Sequence, residues 1–205
     1  MKRLPSDNAT RHATDVFKGA GGTLRTREAA EAGVHYSTLY GMRDAGLLEQ
    51  LSRGVYRLAE LPGLSKNVVV TVATRVPDAI LCLVSALDFH DIGTQIPSAV
   101  NIAIGPKDRR PQLDYPPIRV YRVSGRALTS GVEEHVVDGT AVKVFGVAKT
   151  VADCFKFRNK IGDDVALEAL REVVRSRKAT PADIMEFAQI DRVSKIVRPY
   201  LEALQ

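Results

Sequence analysis

The chain has 205 residues, 45% of them hydrophobic and 26% charged, a globular composition that excludes a mainly disordered or fibrous protein and gives room for one average domain plus a small one. Its formal charge of +5 and pI near 9.3 permit attraction to nucleic-acid phosphates without demanding it, because net charge speaks to partners and not to fold. The longest apolar stretches, such as residues 80 to 87, fall short of the roughly 20 residues that cross a bilayer, and the Met-Lys-Arg start lacks the apolar core of a signal peptide, so a cytoplasmic protein without a membrane partner is expected.

Residues 10 to 19 (TRHATDVFKG) suit a first helix capped by Thr10, with Ala13, Val16 and Phe17 on one face. After a flexible Gly21-Gly22 junction, Thr26 is placed to cap a second helix, REAAEA, which Gly33 ends in the left-handed position. Ser37 caps a third, TLYGMRDA, stopped by Gly46. Two helices joined through GVHY make a helix-turn-helix. LLEQL and VYRL then read as short strands joined by SRG, whose Gly54 can take positive φ. A hairpin directly after the recognition helix is a wing. The following LAELPGLSKN has the Pro, Gly and Ser of a linker. A DNA-binding domain over residues 1 to 60 and a second domain over 61 to 205 are therefore expected.

In that second domain, NVVVTVATRV and DAILCLVSALDFHDI read as two helices separated by Pro77, with strand a competing reading of the β-branched first. Strand-like runs follow at 99 to 104, 118 to 123, 133 to 138 and 140 to 145, the last two meeting at Asp138-Gly139, a strong hairpin signal. From Ala148 the pattern is helical again: AKTVADCFKFR, then DDVALEALREVVRSR, then TPADIMEFAQ with Thr180 as cap and Pro181 at the first helical position, then a last helix over about 192 to 203. The fold class expected is α+β, an N-terminal winged helix-turn-helix followed by a mixed α/β domain with helices around a central sheet.

An α-helix fits the B-form major groove, and the first turn of a recognition helix usually makes the base contacts. If Leu39, Met42 and Gly46 face the protein, a rotation of about 100° per residue turns Ser37, Tyr40, Gly41 and Asp44 outward, with Thr38 and Arg43 on the flanks. His35, Tyr36 and Ser37 lie at the entry, and Gly41 favours a close approach to the groove. Arg53 at the wing tip is placed to meet a phosphate or enter the minor groove, and Arg25 and Arg27 to anchor phosphates. Asp44 on the outer face repels phosphates. The basic loop GPKDRRPQ offers Lys107, Arg109 and Arg110 as an auxiliary nucleic-acid contact, against the plainer reading of a solvated charge run.

The stretch GGTLRTREAAEAGVHYSTLYGMRDAGLLEQLSRGVYRL resembles the N-terminal winged helix of AbiEi-type antitoxins, most specifically in AGLLEQ and RGVYRL. PDAILCLVSALDFHDI and VKVFGVAKTVADCFKFRNKIG are similar to segments of that family's second domain, so the resemblance spans roughly residues 10 to 175 and fades after Arg177. It implies a phage-defence, type IV toxin-antitoxin role. Such a protein binds inverted repeats in duplex operator DNA, as a homodimer or as cooperating monomers, and represses its own operon. It counters a nucleotidyltransferase toxin without needing a stable complex. The alternative is a stand-alone winged-helix regulator whose second domain senses a ligand or mediates assembly.

For catalysis the best constellation is DFHD (Asp88, His90, Asp91), where on a helix Asp88 and Asp91 are neighbours and His90 points away. VPD at 76 to 78 starts a nuclease pattern that no strand-borne Glu-x-Lys continues, and no phosphate-loop, nucleophile-elbow or HExxH motif occurs. No catalytic residue, metal or cofactor is expected. Cys82 and Cys154, far apart and in apolar contexts, read as reduced buried thiols.

Overall fold

Ser6 opens the first described element, its hydroxyl accepting from the Ala9 amide at 3.4 Å. The computed structural model describes residues 6–204; expectations that touch residues 1–5 and 205 lie outside them. Two units are distinguished: one runs up to Pro77 and takes in Pro111–Pro116 and Val136–Val142, the other comprises Asp78–Arg110, Pro117–His135 and the chain from Lys143.

In the first unit, α1 (Asp7–Gly19) starts one turn before the expected Thr10, because Ser6 supplies the cap and Asp7 suits the positive end of the helix dipole. β1 (Thr23–Arg25) follows the Gly21-Gly22 junction, where no strand was expected, and is followed by α2 (Thr26–Glu31) and α3 (Tyr36–Asp44). The hairpin is β2 (Leu48–Ser52) and β3 (Val55–Leu58). β1 adds to it antiparallel, Leu24 facing Tyr56, so β3 becomes the central strand of a three-stranded sheet. Phe17, Leu39, Met42, Leu48, Tyr56 and Leu58 form the shared core of helices and sheet. Alternate apolar positions on the strands and the i, i+3 pair 39/42 on α3 bury one face of each element.

α4 (Asn67–Arg75) is helical despite its β-branched run, and it packs on β1, β2 and β3 through a face that includes Val69, Val70 and Val72. That packing carries the first unit on to Pro77, beyond the boundary read at residue 60. A linker-like composition between 58 and 67 therefore marks a loop inside a unit.

The second unit is a mixed α+β arrangement. Asp78 does not begin a helix: β4 (Ile80–Leu81) comes first and α5 (Leu83–Phe89) follows, the turn between them taken by Leu83 at φ 50. A short apolar run buried on both faces has no period that separates strand from helix. β5 (Val100–Ile104), β6 (Ile118–Arg122), the short α6 (Arg126–Thr129), β7 (Val132–Val137) and β8 (Thr140–Phe145) follow, with the tip of the β7–β8 hairpin, Val136–Val142, counted in the first unit. The sheet order is β6-β5-β4-β8-β7, with β4 antiparallel to β5 and parallel to β8. Asp138 and Gly139 both take positive φ at the β7–β8 turn, the requirement of a tight hairpin turn of matching twist.

α7 (Val147–Lys156), α8 (Arg158–Ile161), α9 (Asp163–Arg175), α10 (Pro181–Ile190) and α11 (Ser194–Glu202) complete the chain. Residues 148 to 155 of α7 are all buried, packed by α5, α9, α10 and α11, the pattern of a central helix. Thr180 caps α10 as its sequence predicts, its hydroxyl accepting from the Asp183 amide at 3.2 Å. The returning hydrogen bonds from Thr180 hold the Asp183 carboxyl below its ordinary range.

Candidate nucleic-acid interface

The start of α3 is capped by His35 and not by Ser37. His35 Nδ1 accepts from the Ser37 amide at 3.2 Å and meets Ser37 Oγ at 2.7 Å. Accepting an amide N–H requires an unprotonated Nδ1, which puts the ring proton of the neutral, capping form on Nε2. Leu39 and Met42 anchor the inner face, and Tyr36 and Tyr40 stand out from the other, 49% and 42% exposed. The Tyr36 and Tyr40 rings lie 6.5 Å apart, Tyr40 and Tyr56 are equally spaced, and the Arg43 guanidinium sits 5.3 Å from the Tyr40 ring centre. Ser37 is exposed and Gly41 half-buried. Thr38 corrects the flank reading: it is only 8% exposed, because one helical turn puts it over Met42 on the buried face.

The arginines of this surface are mostly paired with carboxylates. Arg25 Nη2 lies 2.6 Å from Glu28, which also accepts from the Arg25 amide at 2.7 Å and so closes the start of α2. Thr26 is then the first helical residue and not the cap. Arg27 lies 2.6 Å from Glu31, and Arg43 2.7 Å from Asp44. The hydrogen-bonded carboxylate raises the pKa of Arg27 and of Arg43. Arg53 is exposed at the hairpin tip with no acidic partner among the described residues.

Two features position that tip. A register shift between Gln50 and Ser52 bulges β2 just before Arg53, and a bulge re-aims the residues beside it. The Thr26 amide and hydroxyl both donate to the Gly54 carbonyl, at 2.9 and 3.3 Å. Gly54 itself takes φ 75, and a methyl group there would lie 3.5 Å from Arg75 Nη1 on α4. Thr26 as the tip's tether and Arg75 as a second cation beside it were not found from sequence. The only signal for Arg75 would have been the apolar face of its helix, which the linker-like stretch assigned to the other domain.

In the second unit, Lys107, Arg109 and Arg110 are exposed on one loop with no acidic partner among the described residues. Arg122 Nη1 shapes that loop, donating to the carbonyls of Gly105, Pro106 and Asp108 at 2.9 to 3.0 Å. His90 Nε2 lies 2.8 Å from the Phe145 carbonyl, to which it donates, and so holds α5 to β8. Among the described residues no group of three or more His, Cys, Asp and Glu side chains is placed to hold a metal ion, and no helix is long and apolar enough to cross a membrane. Burial pushes both thiols up, so Cys82 and Cys154 stay protonated.

A buried charge network, which the sequence reading missed, runs through α7. Lys149 Nζ lies 2.5 Å from Asp153 and 3.0 Å from Asp191, and Lys156 Nζ lies 3.2 Å from the other Asp191 oxygen. Lys149 also sits 4.6 Å from the Phe145 ring centre. Burial pushes the Asp153 carboxyl up to about 7 against the pull of Lys149, and Asp191 adds to the rise. The i, i+4 spacing of Lys149 and Asp153 was available as a signal, but a surface pair has the same spacing.

Residues 13–59 match the sequence model of a family described as transcriptional regulator, AbiEi antitoxin. The antitoxin-regulator resemblance of the N-terminal stretch is thereby borne out over those residues. In fold the chain is similar to the crystal structure of the RV2827C protein from Mycobacterium tuberculosis, with a TM-score of 0.60 at 14% identity over 98% of this chain and 82% of that one. No curated protein sequence matches the chain.

Proposed function

We propose that the first unit is a winged helix-turn-helix that binds duplex DNA, with α3 in the major groove and the β2–β3 hairpin as its wing. The observation that carries this reading is the exposed start of α3, where His35, Tyr36, Ser37 and Tyr40 face outward over a core anchored by Leu39 and Met42. Helix starts with this geometry read base edges. Residues 13–59, which match a family of transcriptional regulators, contain all of it. His35 Nε2, the Tyr36 and Tyr40 rings and the Ser37 hydroxyl are the base-reading groups. Arg25, Arg27, Arg43 and Arg53 meet phosphates, with Arg75 as an addition, and buried Thr38 leaves the set. Lys107, Arg109 and Arg110 remain an auxiliary contact.

The chain then acts as an AbiEi-type antitoxin in the cytoplasm. It represses its own operon at inverted repeats, which need two winged helices per site from a dimer or from cooperating monomers. It counteracts a nucleotidyltransferase toxin encoded alongside, without requiring a stable complex and without catalysis of its own. A gel-shift titration against DNA upstream of its own gene, with scrambled DNA as competitor at two salt concentrations, tests the first part. Specific shifts that weaken with salt support it, and equal binding to the scrambled DNA removes it. Co-expression of the full chain with the adjacent toxin tests the second, by rescue of growth. The alternative of a stand-alone regulator with a ligand-sensing second domain is favoured by one observation, that the family match stops at residue 59. Absence of a nucleotidyltransferase gene next to this one would select it.

A further inference from the structure

The second unit contains a cavity of about 540 Å³ lined by Arg126, Ala127, Lys156, Ile190, Asp191 and Arg192 among others. This volume lies within the range of roughly 300–1,000 Å³ typical of small-molecule pockets. Its one carboxylate is already engaged: Asp191 is fully buried and accepts from both Lys149 and Lys156. Lys149 is in turn shared with Asp153. Two lysines and two aspartates thus occupy one another, and Arg126 and Arg192 add positive charge at the cavity with no acidic partner among the described residues. The Lys156 side chain is 30% exposed, so its ammonium is held on one side by Asp191 and open on the other.

Packing does not call for this arrangement. A buried ion network pays a desolvation cost that apolar side chains of similar volume avoid. Arg192 takes φ 61 as the left-handed residue that ends α10, with the Val193 amide donating to the Ala188 carbonyl at 2.8 Å, so the helix end fixes where its side chain leaves the backbone at the cavity. Asp191, immediately before it, is the network's buried carboxylate.

We propose that this cavity binds a phosphate group, free or carried on a small molecule of up to nucleotide size. The Arg126 and Arg192 guanidiniums fork onto the phosphate oxygens, the geometry in which arginine binds phosphate most strongly. Lys156 completes the cradle as a point charge, and Ala127 and Ile190 give the remainder of a larger ligand an apolar wall. The site lies wholly within the second unit and stands independently of the DNA-binding reading.

Calorimetric titration of the full chain with inorganic phosphate, adenosine monophosphate and adenosine tests it. Binding of the phosphate-bearing probes and not of adenosine is expected. The Arg126→Ala/Arg192→Ala double variant, whose side chains are surface-exposed and whose thermal midpoint should stay unchanged, is expected to bind at least about tenfold more weakly, the loss of charge-assisted bonds. Arg11→Ala, an exposed cation on α1, serves as a control that retains wild-type affinity. Tighter binding of the nucleotide than of phosphate identifies the larger ligand, and equal binding identifies free phosphate. No binding of either, binding that survives the double variant, or adenosine binding as well as its monophosphate overturns the proposal.

Discussion

In the first unit three arginines each lie beside a carboxylate one to four positions away, at or near the surface; in the second, Lys149, Asp153 and Asp191 are taken out of water entirely. Solvated pairs of the first kind are worth about 0–1 kcal/mol and open at little cost. In the proposed DNA complex a phosphate can therefore take the place of the Glu31 carboxylate beside Arg27 without disturbing the fold, whereas Glu28 also holds the Arg25 amide at the start of α2. Buried pairs of the second kind are held in place because breaking them strands a charge. On the proposed reading one unit keeps charges exchangeable for a partner, and the other uses them to fix a central helix and the edge of a cavity.

The largest effect that would break this contrast is on Lys149. Lys149→Met should destabilise the protein by about 3–5 kcal/mol in urea unfolding, because two buried carboxylates lose their shared ammonium. A loss below about 1 kcal/mol would mean that the network is not held together as described. The pH dependence of Asp153 comes next. Its carboxyl sits at about 7 against an ordinary 3.8, so the folded chain holds this proton more tightly than the unfolded chain does. The stability this contributes is fully present below about pH 4 and is lost as the pH rises to about 7. Asp153→Asn should remove that loss, visible as a wild-type stability that falls relative to the variant over this interval and stays level above it.

Smaller effects sharpen the account of the first unit. Arg53→Ala should weaken operator binding by about 1–3 kcal/mol if it reads a minor groove, or uniformly with a salt slope reduced by about 1 if it meets a phosphate. Adding Arg43→Ala should weaken binding further, and a double variant with wild-type affinity would remove both the wing and α3 from the interface. Asp44→Asn is expected to tighten binding slightly, since it removes a repulsion from the phosphates and the carboxylate beside Arg43. Gly54→Ala should cost about 1 kcal/mol of stability through its positive φ, read as a lowered thermal midpoint.

Much of the first unit was legible because its helices are amphipathic and its punctuation is local. Gly33, Gly46 and Gly54 all take positive φ where the chain turns, and Leu39 and Met42 face inward at the expected spacing. What escaped was whatever depended on a partner distant in the chain. β1 exists because β3 offers it a hydrogen-bonding edge, and Thr23–Arg25 alone carries no strand signal. α4 belongs to the first unit through packing that its own periodicity does not specify. Ile80–Leu81 is a strand because β5 and β8 flank it, and its apolar run reads equally well as the start of a helix. Of the proposed interface residues, Tyr36, Ser37, Tyr40 and Arg53 were visible as an exposed helix start and a hairpin tip. Thr38 escaped because α1 and α2 pack on α3 and cover the edge of the face that Leu39 and Met42 bury, which the helical period does not show. The Asp191 end of the buried network was invisible, because 42 residues separate it from Lys149.

The measurement that bears most directly on the account is an amide chemical-shift map of the full chain titrated with the duplex upstream of its own gene. The account predicts perturbations concentrated at residues 25–27, 35–44 and 51–54 and at Arg75, and little change around Lys149, Asp153 and Asp191. Perturbations that leave α3 and the hairpin untouched, whether they fall elsewhere or nowhere, would contradict it.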